Sequence, residues 1–99
     1  MKLIDKHMEK LKELCHKYKV SKLYVFGSFV KGNFTNKSDI DLIVLFEDVK
    51  LEDYADNYFD FKYSLEDIFN RKVDLLEEKA IKNPFFKKSI EKTKRLIYG

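Results

Sequence analysis

The amino-acid sequence predicts one α/β (α+β) domain, a small mixed β-sheet flanked by helices. Three observations predict it. Apolar residues repeat at helical spacing over 3–18 and 54–69, an almost unbroken apolar run fills 40–46, and short β-rich runs lie at 23–26 and 73–76. A chain of 99 residues has room for one core, and no repeat, linker or low-complexity stretch divides it, so a single domain over 1–99 is expected.

In the first segment Ile4, Met8, Leu11, Cys15 and Tyr18 recur at spacings of four and three, with Leu3 and Leu14 beside the stripe. This predicts one amphipathic helix. The intervening residues are mostly Lys and Glu, with Glu13 and Lys17 placed as an i, i+4 pair on the wet face. Leu23-Tyr24-Val25-Phe26 then reads as a strand ending at Gly27-Ser28, and Gly32, Asn33, Thr35, Asn36 and Ser38 mark turn and loop. From Asp39 to Phe46 the residues Ile40, Leu42, Ile43, Val44, Leu45 and Phe46 predict a central strand covered on both faces. Tyr54, Tyr58, Phe61, Leu65 and Ile68 share one face of a second long helix that no Pro or Gly interrupts. The pattern resets at Asn70-Arg71-Lys72, and Val73 to Leu76 reads as another strand. Asn83-Pro84 supplies an N-cap and a first-turn proline for a helix over 84–94, and Leu96-Ile97-Tyr98 can add a terminal strand.

Composition narrows the setting. With 44% apolar and 37% charged residues the chain can form a compact domain without cross-links. No stretch approaches the roughly 18 consecutive apolar residues of a membrane span, and Met-Lys-Leu-Ile-Asp lacks the apolar core of a secretory signal, so a cytoplasmic setting without membrane contact is expected. Cys15 is the only cysteine, which excludes an internal disulfide, and its place in the stripe predicts a buried helix residue. The balance of 20 basic and 17 acidic residues, a net +3, is too even to require nucleic acid, and no direct nucleic-acid contact is expected. Lys31, Lys37, Lys62, Arg71, Lys72 and the cluster Lys82, Lys87, Lys88, Lys92, Lys94 and Arg95 could hold phosphates, but a solvated face is the expectation for most of them.

Three features carry chemistry. Gly27 lets the chain turn sharply and approach a ligand closely, and Ser28 brings a hydroxyl and backbone N–H groups to the same turn, a combination suited to phosphate. Asp39 and Asp41 are two residues apart in an expected strand, so both carboxylates emerge on one face, about 6 to 7 Å apart at the backbone, and can converge on one hard cation. A carboxylate facing an apolar sheet is costly without a partner, and a magnesium ion shared with substrate phosphates would supply one. Asp74, inside Val73 to Leu76, could add a third carboxylate for a second metal or as a general base. Separately, Gly-Ser and Asp-x-Asp are ordinary turn devices. Their order is the informative part.

Phe26-Gly27-Ser28-Phe29-Val30-Lys31-Gly32 and Ser38-Asp39-Ile40-Asp41-Leu42 resemble the signature of the DNA polymerase β-like nucleotidyltransferase superfamily, and within it the minimal nucleotidyltransferase domains of prokaryotes. The resemblance extends over nearly the whole chain, to Leu96-Ile97-Tyr98-Gly99. It implies that Gly27 and Ser28 bind the triphosphate of ATP, that Asp39 and Asp41 coordinate Mg2+, and that Asp74 completes a carboxylate triad. Lys31 stands where many relatives carry Arg, which keeps the charge but loses the bidentate fork, so its phosphate contact follows less directly. The resemblance further implies an antitoxin that moves AMP from ATP to a tyrosine of a HEPN-type ribonuclease toxin, in a hetero-oligomer with it.

Other readings compete. An antitoxin acting by contact alone would have no need of three carboxylates. A transferase acting on a small molecule or on RNA would usually add a domain to hold its acceptor. The aromatic set Tyr54, Tyr58, Phe59, Phe61, Tyr63 and Phe69 exceeds one helical stripe, so part of it could face a partner while most packs in the core.

Overall fold

The first helical stretch is interrupted. A computed structural model of the chain, describing residues 2–27, 30, 32, 35 and 38–99, divides it at His7 into α1 (Lys2–Lys6) and α2 (Met8–Lys17). The apolar stripe passes through the break: Ile4, Leu11 and Cys15 are fully buried while the charged residues between them are exposed. At the break the His7 ring packs edge-on against Phe69, with centroids 5.7 Å apart.

The remaining elements follow the expected order with small shifts at their ends: β1 (Val20–Phe26), β2 (Ile40–Phe46), α3 (Leu51–Phe69), β3 (Val73–Glu77), a 3-10 turn (Glu78–Ala80), α4 (Pro84–Thr93) and β4 (Arg95–Tyr98). Asp39 lies one step before its strand, not inside it. The α4 start has the expected cap, since Asn83 Oδ1 accepts from the N–H groups of Phe85 at 2.9 Å and Phe86 at 3.2 Å and Pro84 opens the helix.

Among the described residues the strands form one mixed sheet in the order β3-β2-β1-β4. β1 runs antiparallel to β2 and β4, whereas β2 and β3 are parallel and α3 makes the crossover between them. Alternation then sorts the side chains. Leu23, Val25, Ile40, Leu42, Val44, Val73 and Leu75 meet α1, α2 and α3 in the main core, with Phe61, Leu65 and Phe69 from α3. The opposite face carries a much smaller cluster, Phe26, Ile43 and Ile90, in which Ile90 comes from α4. β2 is thus covered on both faces, as its apolar run predicts. Two tyrosines fasten α3 to β3: Tyr54 donates to Glu77 Oε2, and Tyr58 donates to the Leu75 carbonyl at 2.5 Å. Among the described residues no helix is long and apolar enough to cross a membrane.

Candidate active site

The second sheet face, the one α4 only partly covers, bears the candidate residues. Its register brings three of them into line at one end of the sheet. Phe26 pairs with Asp41 across β1 and β2, which puts Gly27 just beyond that rung, and Asp41 pairs with Asp74 across β2 and β3. Paired residues share a face, so the Asp41 and Asp74 side chains start from strands about 4.8 Å apart. Two like charges set side by side repel, and the apolar Ile43 follows Asp41 on the same face, so this placement suits a cation between them.

Gly27 is required here for two reasons. Its φ of +73° is a conformation that other residues adopt only under strain. A Cβ at this position would also drive into Asp41 Oδ2 and lie 3.2 Å from its Cγ. The backbone of the turn is therefore packed directly against the half-buried Asp41 carboxylate. Asp74 and Asp39 are exposed.

The oxygen donors suit a hard cation such as Mg2+, and Gly27 leaves the space above Asp41 that a side chain would fill. Among the described residues, however, no three His, Cys, Asp or Glu side chains are gathered closely enough to form a ready cluster. Asp41 and Asp74 are brought together by register, Asp39 stands beside them outside the ladder, and convergence on one ion would need side-chain rotation. Ser28 and Lys31 lie outside the described residues.

The structure adds residues that sequence reasoning did not nominate. Arg71, grouped above with the cations expected to be solvated, is half-buried and donates from Nη1 to the carbonyls of Thr35 at 3.2 Å and Ser38 at 3.3 Å. Glu66 Oε2 accepts from the Val73 N–H at 3.0 Å, one residue before Asp74. Burial, with the charges of Glu77 and Asp74, pushes the Tyr58 hydroxyl above the ordinary tyrosine range and so keeps it a donor to the Leu75 carbonyl. On the other side of the site, the Phe86 ring of α4 lies edge-on to Phe26 at 6.2 Å. None of these contacts has a spacing signature, because each joins residues of different elements or loops.

The profile of the nucleotidyltransferase domain family matches residues 7–97. The chain belongs to that family. Two proteins of Methanocaldococcus jannaschii, both assigned as protein adenylyltransferases, resemble this nucleotidyltransferase domain at 44% and 41% identity, each over 97% of this chain and 90% of the relative. Among solved structures it is similar to one assigned as a minimal nucleotidyltransferase, with a TM-score of 0.75, 24% identity, and coverage of 92% of this chain and 89% of the other. A toxin–antitoxin complex with AMP-PNP matches with a TM-score of 0.71 at 21% identity over 93% and 73% of the two chains. A complex of a tri-AMPylated Shewanella oneidensis HEPN toxin with its MNT antitoxin matches with a TM-score of 0.66 at 18% identity over 97% and 72%. At these identities the structural likenesses speak to the fold, which is that of the minimal nucleotidyltransferases. The family and the α+β architecture are those the sequence predicts, and the family's chemistry is nucleotidyl transfer.

Proposed function

We propose that this chain is a Mg2+-dependent protein adenylyltransferase of the cytoplasm that moves AMP from ATP to a tyrosine of a HEPN-type toxin and so acts as its antitoxin. One observation carries the reading: the sheet register that sets Asp41 beside Asp74, with the Gly27 backbone packed against Asp41. The relatives assigned as protein adenylyltransferases support the reaction class. The toxin–antitoxin complexes of the same fold, one with an ATP analogue and one with an AMP-bearing toxin, support the donor and the acceptor.

In this reading Gly27 gives the triphosphate close access to backbone, and Ser28 and Lys31 add phosphate contacts. Asp39, Asp41 and Asp74 would hold Mg2+, which when bound offsets the charge that builds on the transferring phosphoryl group. The acceptor hydroxyl oxygen bonds to the α-phosphorus, the bond from that phosphorus to the bridging oxygen breaks, and pyrophosphate leaves. Exposed Asp74 takes the hydroxyl proton. Asp39 and Asp74 are exposed, so an acceptor can approach them from outside the domain, as a tyrosine on a partner's surface would.

The experiment incubates the chain with Mg2+, ATP labelled in the α-phosphate and a purified HEPN toxin. Label should pass to toxin tyrosine, and Asp41→Asn should lower the rate about a hundredfold or more while leaving the melting temperature nearly unchanged. Full neutralisation of the toxin by Asp41→Asn without label transfer would defeat this reading in favour of neutralisation by contact.

A further inference from the structure

Arg71 follows Asn70, whose φ of 52° closes α3 in the left-handed conformation, and so stands at the turn that feeds β3. Its Nη1 reaches across to the carbonyls of Thr35 and Ser38. Those two residues are also bonded to each other: the Ser38 N–H donates to the Thr35 carbonyl at 3.1 Å, and the Thr35 N–H donates to Ser38 Oγ at 3.0 Å. Asp39 comes next. It precedes the ladder, in which the Ile40 N–H donates to the Lys72 carbonyl at 3.1 Å. Asp39 is thus steered by β2 on one side and, on the other, by Ser38, which Arg71 holds together with Thr35.

We propose that Arg71 is a positioning residue that sets Asp39 beside Asp41 for cation binding, by clamping Thr35 and Ser38 to the start of β3. The inference rests on the proposed role of Asp39 and Asp41 as cation ligands. The clamp has a chemical reason to be arginine. A planar guanidinium offers fixed, diverging N–H groups to carbonyls on one side, whereas a lysine ammonium is a point charge on a flexible stem. It also has a reason to be at 71. Asp74 lies three residues further on, so one side chain ties the approach of the second carboxylate-bearing segment to that of the first. Nη1 is directed at backbone carbonyls, a positioning role to be measured apart from direct phosphate contact.

The test uses the full chain with Arg71→Met and Arg71→Lys. Mn2+ affinity is read by electron paramagnetic resonance, ATP affinity is read in the presence of a chelator, and the melting temperature is recorded for each variant. Arg71→Met should weaken Mn2+ binding by about tenfold, the lower end of what loss of an outer partner costs a metal site, with Arg71→Lys in between. ATP affinity in chelator should not change. In a double-mutant cycle, adding Asp39→Asn to Arg71→Met should cost much less Mn2+ affinity than Asp39→Asn alone, because the arginine acts through that aspartate. Unchanged Mn2+ affinity in either folded variant overturns the proposal; if Arg71→Met does not fold, Arg71→Lys alone decides it. A fall in chelator-ATP affinity overturns it in favour of direct phosphate contact. Absence of Mn2+ binding in the unsubstituted chain defeats the cation-ligand reading itself, a failure visible before any variant is made.

Discussion

Gly27 and Cys15 illustrate opposite uses of a single residue. At Gly27 the left-handed φ and the Asp41 carboxylate both exclude a side chain. Gly27→Ala should therefore cost about 1–2 kcal/mol in backbone strain and, in addition, displace Asp41. The expected outcome is a lowered melting temperature together with AMP transfer that stays depressed at temperatures where the variant is folded. Transfer at the unsubstituted rate would show that the packing of Gly27 on Asp41 has no bearing on the chemistry. Cys15 has no place in the site. Burial pushes its thiol from 9.0 up to about 12. The folded state therefore keeps a proton that the unfolded chain releases near pH 9, and the stability this contributes is complete below pH 9 and is lost as pH rises from there toward 12. Urea unfolding at neutral pH and well above pH 9 should show a steeper alkaline loss for the unsubstituted chain than for Cys15→Ala. Equal losses would mean that the buried thiol is not what titrates.

Between α3 and β3 polar joints supplement the apolar packing, and they lie under the strand that carries Asp74. Tyr58→Phe removes the donor to the Leu75 carbonyl while keeping the ring, which should lower stability by about 1 kcal/mol in urea unfolding. An unchanged unfolding midpoint would mean that water replaces the bond without loss. The helices and strands themselves were legible in the sequence because each is written in a local period: the stripe of 54–69, the apolar run of 40–46, and the Asn83-Pro84 cap that the structure satisfies with two N–H groups. The break at His7 was not legible. The apolar stripe runs through it unchanged, and the ring that His7 packs against belongs to Phe69, far along the chain. The same reasoning divides the site. Gly27, Asp39, Asp41 and Asp74 drew attention by residue type and order, but the pairing of Asp41 with Asp74 is a product of parallel register across a crossover. Arg71 looked like one more solvated cation because the carbonyls that its Nη1 meets leave no mark on the side-chain pattern.

The molecule is built on two unequal cores, and the candidate site stands on the smaller. One sheet face is closed by α1, α2 and α3 over a continuous apolar cluster, while the other is closed by α4 through Ile90 against Ile43 and Phe26. Ile90 is the only buried residue of α4, and Phe85 is 83% exposed. Burying one isoleucine contributes about 1.5–3 kcal/mol, so α4 should open at a lower free energy than the sheet, although its capped N-terminus resists fraying. Native-state hydrogen exchange is the direct measurement. The amides of α4 should exchange by local opening, several kcal/mol below global unfolding, while those of β2 wait for the whole domain to unfold. Ile90→Ala should speed exchange in α4 and leave α3 nearly untouched. Should α4 exchange only through global unfolding, the two cores are one cooperative unit and this division is wrong. The difference matters for the site because Ile43 follows Asp41 on the same face, so a helix that opens below global unfolding is also one flanking the carboxylates.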